Sequence, residues 1–318
     1  NTMKQEQIAA QTYTVREHTQ NSRGLARTLG KLRAIGYRAV ELSAVGVMDV
    51  AEIRRMLDGE GMTCCASHES EEMLFEKTPA VIERMRALNC SIAVYPWPGE
   101  RRFDSLKGLR EFAQKLDGVG RSLANAGIDF CYHNHHMEFA RVEGRTALEV
   151  LFAETTPALV KAELDTYWVQ FGGGNPASWC RKLEGRIEVL HLKDYVVTAD
   201  RQVAFAEVGR GNLDWPSIIA AADAASYIYG YAVGLDMTRR DLQNDMKKQG
   251  RPWCIGKAFD HSAPIGPITP AAQAGDINNA ELYVQVDGKD RQRSTVAKLI
   301  WNIAETIEHL SAAWELQP

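Results

Sequence analysis

The chain has 318 residues, 45% of them hydrophobic and 25% charged, and carries a formal net charge of −4. It is long enough to bury a large core, whether in one domain or two. No apolar run approaches the roughly 20 residues of a membrane helix, and no basic stretch interleaved with aromatics suggests a nucleic-acid groove, so neither membrane nor nucleic acid is an expected partner.

Residues 1–7 hold no apolar stretch of secretory-signal length, so a cytoplasmic location is expected. The six cysteines are scattered without CxxC spacing, which fits buried thiols better than a disulfide framework or a zinc ribbon. Residues 11–16 alternate in the β manner, and residues 22–35 carry Leu25, Leu29 and Leu32 at helical spacing before Gly36, which makes one βα unit. Residues 38–42 and 50–57 repeat the cycle. Short apolar runs at 63–67, 92–95, 129–132, 159–164 and 187–190 bring the expected strands to seven, and a helix over 215–225 has Asp214 as its N-cap.

Such alternation implies a parallel sheet with helices on its faces. Polar residues separate a closed barrel from an open sheet. Glu41, His68, His133, Asp165 and His191 each sit at or just beyond the C-terminal end of a different expected strand, where a barrel gathers its reactive groups. A dinucleotide-binding sheet would want GxGxxG after its first strand, which Gly24 and Gly30 do not supply. The expected fold class is α/β, a (β/α)8 TIM barrel.

Tyr132-His133-Asn134-His135-His136 places three imidazoles after an apolar strand that has no structural need of them. Asp165 closes Ala162-Glu163-Leu164-Asp165, and His191 heads His191-Leu192-Lys193-Asp194. Imidazole and carboxylate together suit a divalent metal. His135 and His136 fit ordinary loop positions.

These stretches, with Glu41 after Ala39-Val40 and Glu207-Val208-Gly209-Arg210-Gly211-Asn212-Leu213-Asp214-Trp215, resemble in order and interval the sugar phosphate isomerase/epimerase family, the xylose isomerase-like TIM barrels. The resemblance covers roughly residues 11–225. It implies a divalent ion, Mn²⁺ or Mg²⁺ with Zn²⁺ or Co²⁺ as alternatives, that polarises a small hydroxy-carbonyl substrate while a base moves its α-proton. On this reading the metal ligands are His133, Asp165 and His191, joined by Asp236 if the later segment supplies the eighth strand, and the catalytic candidates are Glu41, His68, Lys193 and Glu207. Two departures stand out. His133 replaces the family's usual Glu, and Gly234 falls where the eighth strand should offer a Glu.

From Tyr229 onward, Gly230-Tyr231-Ala232-Val233-Gly234-Leu235-Asp236-Met237-Thr238, then Arg251-Pro252-Trp253 and Gly256-Lys257-Ala258-Phe259-Asp260, resemble the fumarylacetoacetate hydrolase family. There the position of Asp236 is a metal ligand and that of Lys257 contacts substrate. That family's Glu-x-Glu pair has only Glu69-Ser70-Glu71 as a candidate, and its Thr-Gly-Thr-Pro stretch would follow Pro318.

Two segments are therefore expected, residues 1–226 and 227–318. Seven βα units come from the first segment, and the second supplies or disrupts the eighth strand: residues 227–235 are β-rich and could insert there, with the helical pattern of Val296, Leu299, Ile300, Ile303, Ile307 and Leu310 outside it. Pro264, Pro267 and Pro270 argue against a long helix between, and residues 280–286 before Asp287-Gly288 read as a strand and hairpin turn. The functional expectation is a metal-dependent isomerase/epimerase-like protein acting on a small molecule, with a homo-oligomer left open. The alternatives are C–C hydrolysis of an acylpyruvate and a non-catalytic composite of two families.

Overall fold

A computed structural model of the protein describes residues 7–99, 103–223 and 229–311. The chain divides into two compact units, Asn1–Ile218 and Ile219–Pro318.

In the first unit seven strands form one sheet in sequential order: β1 Ala9–Gln11, β2 Ala39–Leu42, β3 Thr63–His68, β4 Ile92–Tyr95, β5 Asp129–His133, β6 Lys161–Asp165 and β7 Ile187–His191. Every neighbouring pair is parallel, so each connection must cross over, and helices such as Ser22–Ile35, Val50–Gly59 and Leu106–Ala124 do so. The Asn21 side chain accepts from the Gly24 amide at 2.9 Å to start the first of these helices. Leu25, Leu29 and Leu32 bury its inner stripe, each contributing about 2 kcal/mol by leaving water, and Gly36 ends it at a φ of 125°. All four residues of β2 are buried, as expected where helices cover one face of a parallel sheet and a core fills the other. Ala66, Val94 and Cys131 pack together in that core, against Cys65, Ile92 and Val189.

The sheet is curled. β1 and β7 are its two edges, yet Gln11 Nε2 on β1 lies 3.5 Å from His191 Nε2 on β7. Glu41 on β2 reaches the same imidazole at 2.7 Å. This is a TIM-barrel-like half-barrel whose strand ends converge on one rim.

The first strand is earlier and shorter than the alternation of residues 11–16 suggests. The chain leaves the sheet at Gln11 and turns into a 3-10 helix, Thr12–His18, because the Thr12 hydroxyl is taken up by the Ser43 carbonyl and amide, each at 2.7 Å. A tertiary hydrogen bond overrides a local β pattern there.

After β7 a two-stranded ribbon, Asp194–Val197 with Val203–Ala206, leads into the loop before the helix Trp215–Asp223. The buried Asp194 carboxylate organises that loop. It accepts from the amides of Tyr195 at 2.8 Å, Gly209 and Gly211 at 3.0 Å and Leu213 at 3.2 Å, and from Trp215 Nε1 at 2.7 Å. Gly209 has a φ of 83°, and a Cβ on Gly211 would stand 2.2 Å from Asp194 Oδ1, so both positions need glycine. Asp214 accepts from the Ser217 amide at 3.3 Å and caps the helix as expected.

The eighth-strand expectation is corrected by the pairing in the second unit. Tyr227 and Ile228 lie outside the described residues. Gly230–Tyr231 pairs antiparallel with Thr269–Pro270, and Gly234 bridges Ile265, so this segment satisfies its backbone within its own unit rather than on the edge of β7. The hairpin forms as expected. Glu281–Val286 pairs with Lys289–Thr295 across Asp287 and Gly288, at φ 52° and 75°, the left-handed pair that a tight turn requires. The helical pattern after Ser294 begins as a 3-10 turn, Val296–Lys298, and continues as the helix Ile303–Ser311. Among the described residues from 229 to 311 only Gln243, Gly256 and Ala304 are buried. The cysteines are free thiols, with Cys254 the exposed one, and no helix among the described residues is long and apolar enough to cross a membrane.

Two measurements check this description. Asp194→Ala leaves several buried donors without an acceptor and is expected to destabilise the first unit by about 2–3 kcal/mol, with faster amide exchange at Gly209, Gly211 and Leu213. A segment with so few buried side chains opens readily, so limited proteolysis followed by mass spectrometry should find the first cuts between residues 229 and 311; first cuts inside the seven-stranded sheet would contradict it.

Candidate metal centre

Strand geometry brings the polar residues together. Successive side chains alternate faces along a strand, so Glu163 and Asp165 on β6 share one face. The register sets His133 of β5 beside Glu163, His191 of β7 beside Asp165, and Gln11 of β1 beside Glu41. His68 ends β3.

The result is a cluster around one oxygen. Glu163 Oε1 lies 2.8 Å from His68 Nε2, 3.0 Å from His133 Nδ1 and 3.1 Å from His191 Nε2. The ligand-capable atoms of His68, His133, Glu163 and His191 all fall within 4.8 Å of one another. Glu41 closes the group, with Oε2 accepting from His191 Nε2 at 2.7 Å. Its Oε1 stands 2.6 Å from His68 Nε2 without the alignment of a hydrogen bond. Glu163 is wholly buried and its second oxygen, Oε2, has no partner.

The electrostatics follow from burial opposed by charge. Burial alone would lower the His68 imidazole, but the Glu163 and Glu41 carboxylates outweigh it and raise it to about 9. The same balance holds His191 well above the ordinary histidine value. Burial would raise Glu163, and the two imidazoles His191 and His68 outweigh it, so it is held low. Burial, reinforced by His191, keeps His133 neutral.

Asp165 occupies a neighbouring position. Its Oδ1 caps the helix Thr166–Phe171 at the Trp168 amide, 2.9 Å away. Its Oδ2 lies 2.8 Å from Lys193 Nζ and 3.7 Å from His191 Nδ1. The Thr166 hydroxyl donates to the carbonyls of His191 and Lys193, each at 3.0 Å, tying β7 to the end of β6. His135 stacks edge-on with Trp97 at 4.8 Å and with His133 at 4.7 Å, beside Trp168 at 5.4 Å. Burial and the adjacent His133 push its imidazole down to about 3.

Of the residues singled out from the sequence, the structure brings Glu41, His68, His133 and His191 into one cluster and sets Asp165 with Lys193 at its edge. Glu207 is exposed at the end of the ribbon. Asp236 and Lys257 lie in the second unit, where Lys257 Nζ donates to Asp236 and, at 2.9 Å, to Thr238 Oγ1. Among the described residues Asp236 belongs to no cluster of three metal-capable side chains. The residue that sequence reasoning passed over is Glu163. Its signal was the i, i+2 spacing from Asp165 along the strand Lys161–Asp165, which places both carboxylates on one face.

Comparison with known proteins finds two families in the chain. Residues 209–318 match the fumarylacetoacetate (FAA) hydrolase C-terminal family. Oxaloacetate tautomerase fahd-1 of Caenorhabditis elegans is 40% identical over 101 residues, 32% of this chain and 47% of that protein. Fumarylpyruvate hydrolase of a Ralstonia species is 42% identical over 100 residues, 31% of this chain and 52% of that one. The chain thus spans about half the length of these curated relatives. A sugar phosphate isomerase/epimerase structure from Parabacteroides distasonis superposes with a TM-score of 0.56 at 23% identity, over 69% of this chain and 83% of that one, which shows a shared fold. Residues 29–255 match the xylose isomerase-like TIM barrel family, and with most of its length inside that match the chain belongs to this family.

Proposed function

We propose that the first unit is a divalent-cation-dependent isomerase or epimerase that moves a proton on a small hydroxy-carbonyl substrate. The observation that carries this reading is the convergence of His68, His133 and His191 on Glu163 Oε1, with Glu163 Oε2 buried and unpartnered. An orphaned carboxylate oxygen in a water-poor pocket costs free energy unless a cation takes it up.

Charge supports the fit. Two carboxylates, Glu41 and Glu163, face two imidazoles held in their protonated form, His68 and His191. Exchanging the two imidazolium protons for one dication leaves the pocket's net charge unchanged. Three imidazoles with a single carboxylate favour Zn²⁺ or Co²⁺ over Mg²⁺, which shifts the preference away from the Mn²⁺ or Mg²⁺ that the resemblance implies.

A bound cation would polarise the substrate carbonyl and acidify the neighbouring C–H. The protein's own groups supply the rest. Glu41 is held low by His191 and His68 against the effects of its burial and of Glu163, so it is an ionised carboxylate able to accept the proton. Lys193, about a third exposed beside Asp165, offers positive charge to an anionic group of the substrate. His135 and Trp168 provide a wall that keeps water from the reacting carbon.

A second reading is favoured by the identity of about 40% between the C-terminal residues and curated tautomerases and hydrolases. It is cleavage or tautomerisation of an acylpyruvate-like acid at Asp236 and Lys257. Metal analysis separates the two. Glu163→Gln and His191→Ala are each expected to lower metal content and raise the dissociation constant by at least about 100-fold, with Asp236→Ala unchanged; the reverse pattern would transfer the metal to the second unit.

Proton competition fixes the pH dependence. His68 is raised to about 9 and His191 is held well above the ordinary histidine value in the metal-free protein, so near neutral pH these two ligands must each shed a proton to bind, while His133 and Glu163 need not. Affinity should therefore rise with pH, by about one to two powers of ten per unit between pH 6 and 8. A flat profile in calorimetric titrations would count against these ligands.

A further inference from the structure

The end of β2 contributes more than Glu41. Ser43, just past that strand, places its Oγ 2.8 Å from His68 Nδ1, on the far side of the ring from the Nε2 that faces Glu163 and Glu41. We infer that Ser43, itself anchored by Thr12, is a positioning residue that holds His68 in the one ring orientation and tautomer able to act as a cation ligand.

The argument is one of donors and acceptors. A neutral imidazole carries its hydrogen on either Nδ1 or Nε2, and only the form with hydrogen on Nδ1 leaves the Nε2 lone pair for a cation. A serine hydroxyl can donate or accept, but Nε2, which faces two carboxylates, carries a hydrogen in the imidazolium and gives it up to a cation, and in both states it is Nδ1–H that donates to Ser43 Oγ. Ser43 is not free to swing away. Its amide donates to Thr12 Oγ1 and its carbonyl accepts from the same hydroxyl, both at 2.7 Å. Thr12 is 0% and Ser43 4% exposed, so water does not replace a lost hydroxyl and the Nδ1–H would be left unpaired. The relay Thr12–Ser43–His68 thus joins the ends of β1, β2 and β3. It also explains why the chain breaks from the β pattern at Thr12.

This inference rests on the metal reading, and the test separates the two. Zn²⁺ affinity of the 318-residue chain is measured by competition with a chromophoric chelator, and the His68 tautomer by long-range proton–nitrogen NMR correlations. Ser43→Ala is expected to weaken Zn²⁺ binding about 10–100-fold and to shift the His68 Nδ1–H resonance, whose proton loses its acceptor. Thr12→Val is expected to act in the same direction by a smaller factor, with circular dichroism and melting showing each variant folded. Variants that bind Zn²⁺ within twofold of the wild type, with the Nδ1–H resonance unchanged, overturn the relay. If the wild type binds no Zn²⁺, the metal reading falls, and the metal-free spectra still decide Ser43: a His68 Nδ1–H signal that survives Ser43→Ala unaltered removes its role.

Discussion

Three imidazoles cannot crowd one carboxylate oxygen in a closed pocket unless charge is balanced there, and that requirement governs the first unit. Glu163 is wholly buried and would be costly as an isolated anion. His68 and His191 offset it by holding protons above their ordinary range, and Glu41 completes the neutral set. These groups come from β2, β3, β6 and β7, so they meet only if the sheet curls. The fold and the cluster are therefore one constraint seen twice: straightening the sheet would strand each charge alone.

Around this centre the chain uses short polar side chains as ties between strand ends. Thr12 binds the backbone at Ser43, Asn134 Oδ1 accepts from the Asp165 amide at 2.9 Å, and Thr166 holds the carbonyls of His191 and Lys193. Each tie is buried or half-buried and therefore specific in direction. Together they orient the rim of a sheet whose body is held by nondirectional apolar packing. Asp194 does the same for the loop behind β7, which accounts for the spacing of Gly209, Gly211 and Trp215 without assigning any of them to chemistry. The second unit follows another plan. Its ribbons satisfy their own backbones, and Leu282, Tyr283, Ile300 and Trp301 remain exposed.

Much of this was legible in the residues. The helices announced themselves by caps and leucine spacing, as at Asn21 with Leu25, Leu29 and Leu32, and the hairpin by Asp287-Gly288. His133 and His191 were visible as strand-end imidazoles. Glu163 was harder to see because its place in the cluster depends on which face of β6 turns inward, a property of the closed sheet rather than of the strand. Thr12 misled because its hydroxyl has a partner, Ser43, that is remote in sequence.

The sequence by itself determined the alternation of strand and helix, the kinds of ligand available and the change of family resemblance near Tyr229, because these rest on local spacing and side-chain chemistry. Tertiary structure decided which carboxylate stands among the imidazoles, that Asp165 faces Lys193, and that Gly230–Tyr231 pairs with Thr269–Pro270 instead of extending the barrel. Those outcomes depend on distances between residues far apart along the chain. Curvature and strand pairing set such distances, and periodicity does not encode them.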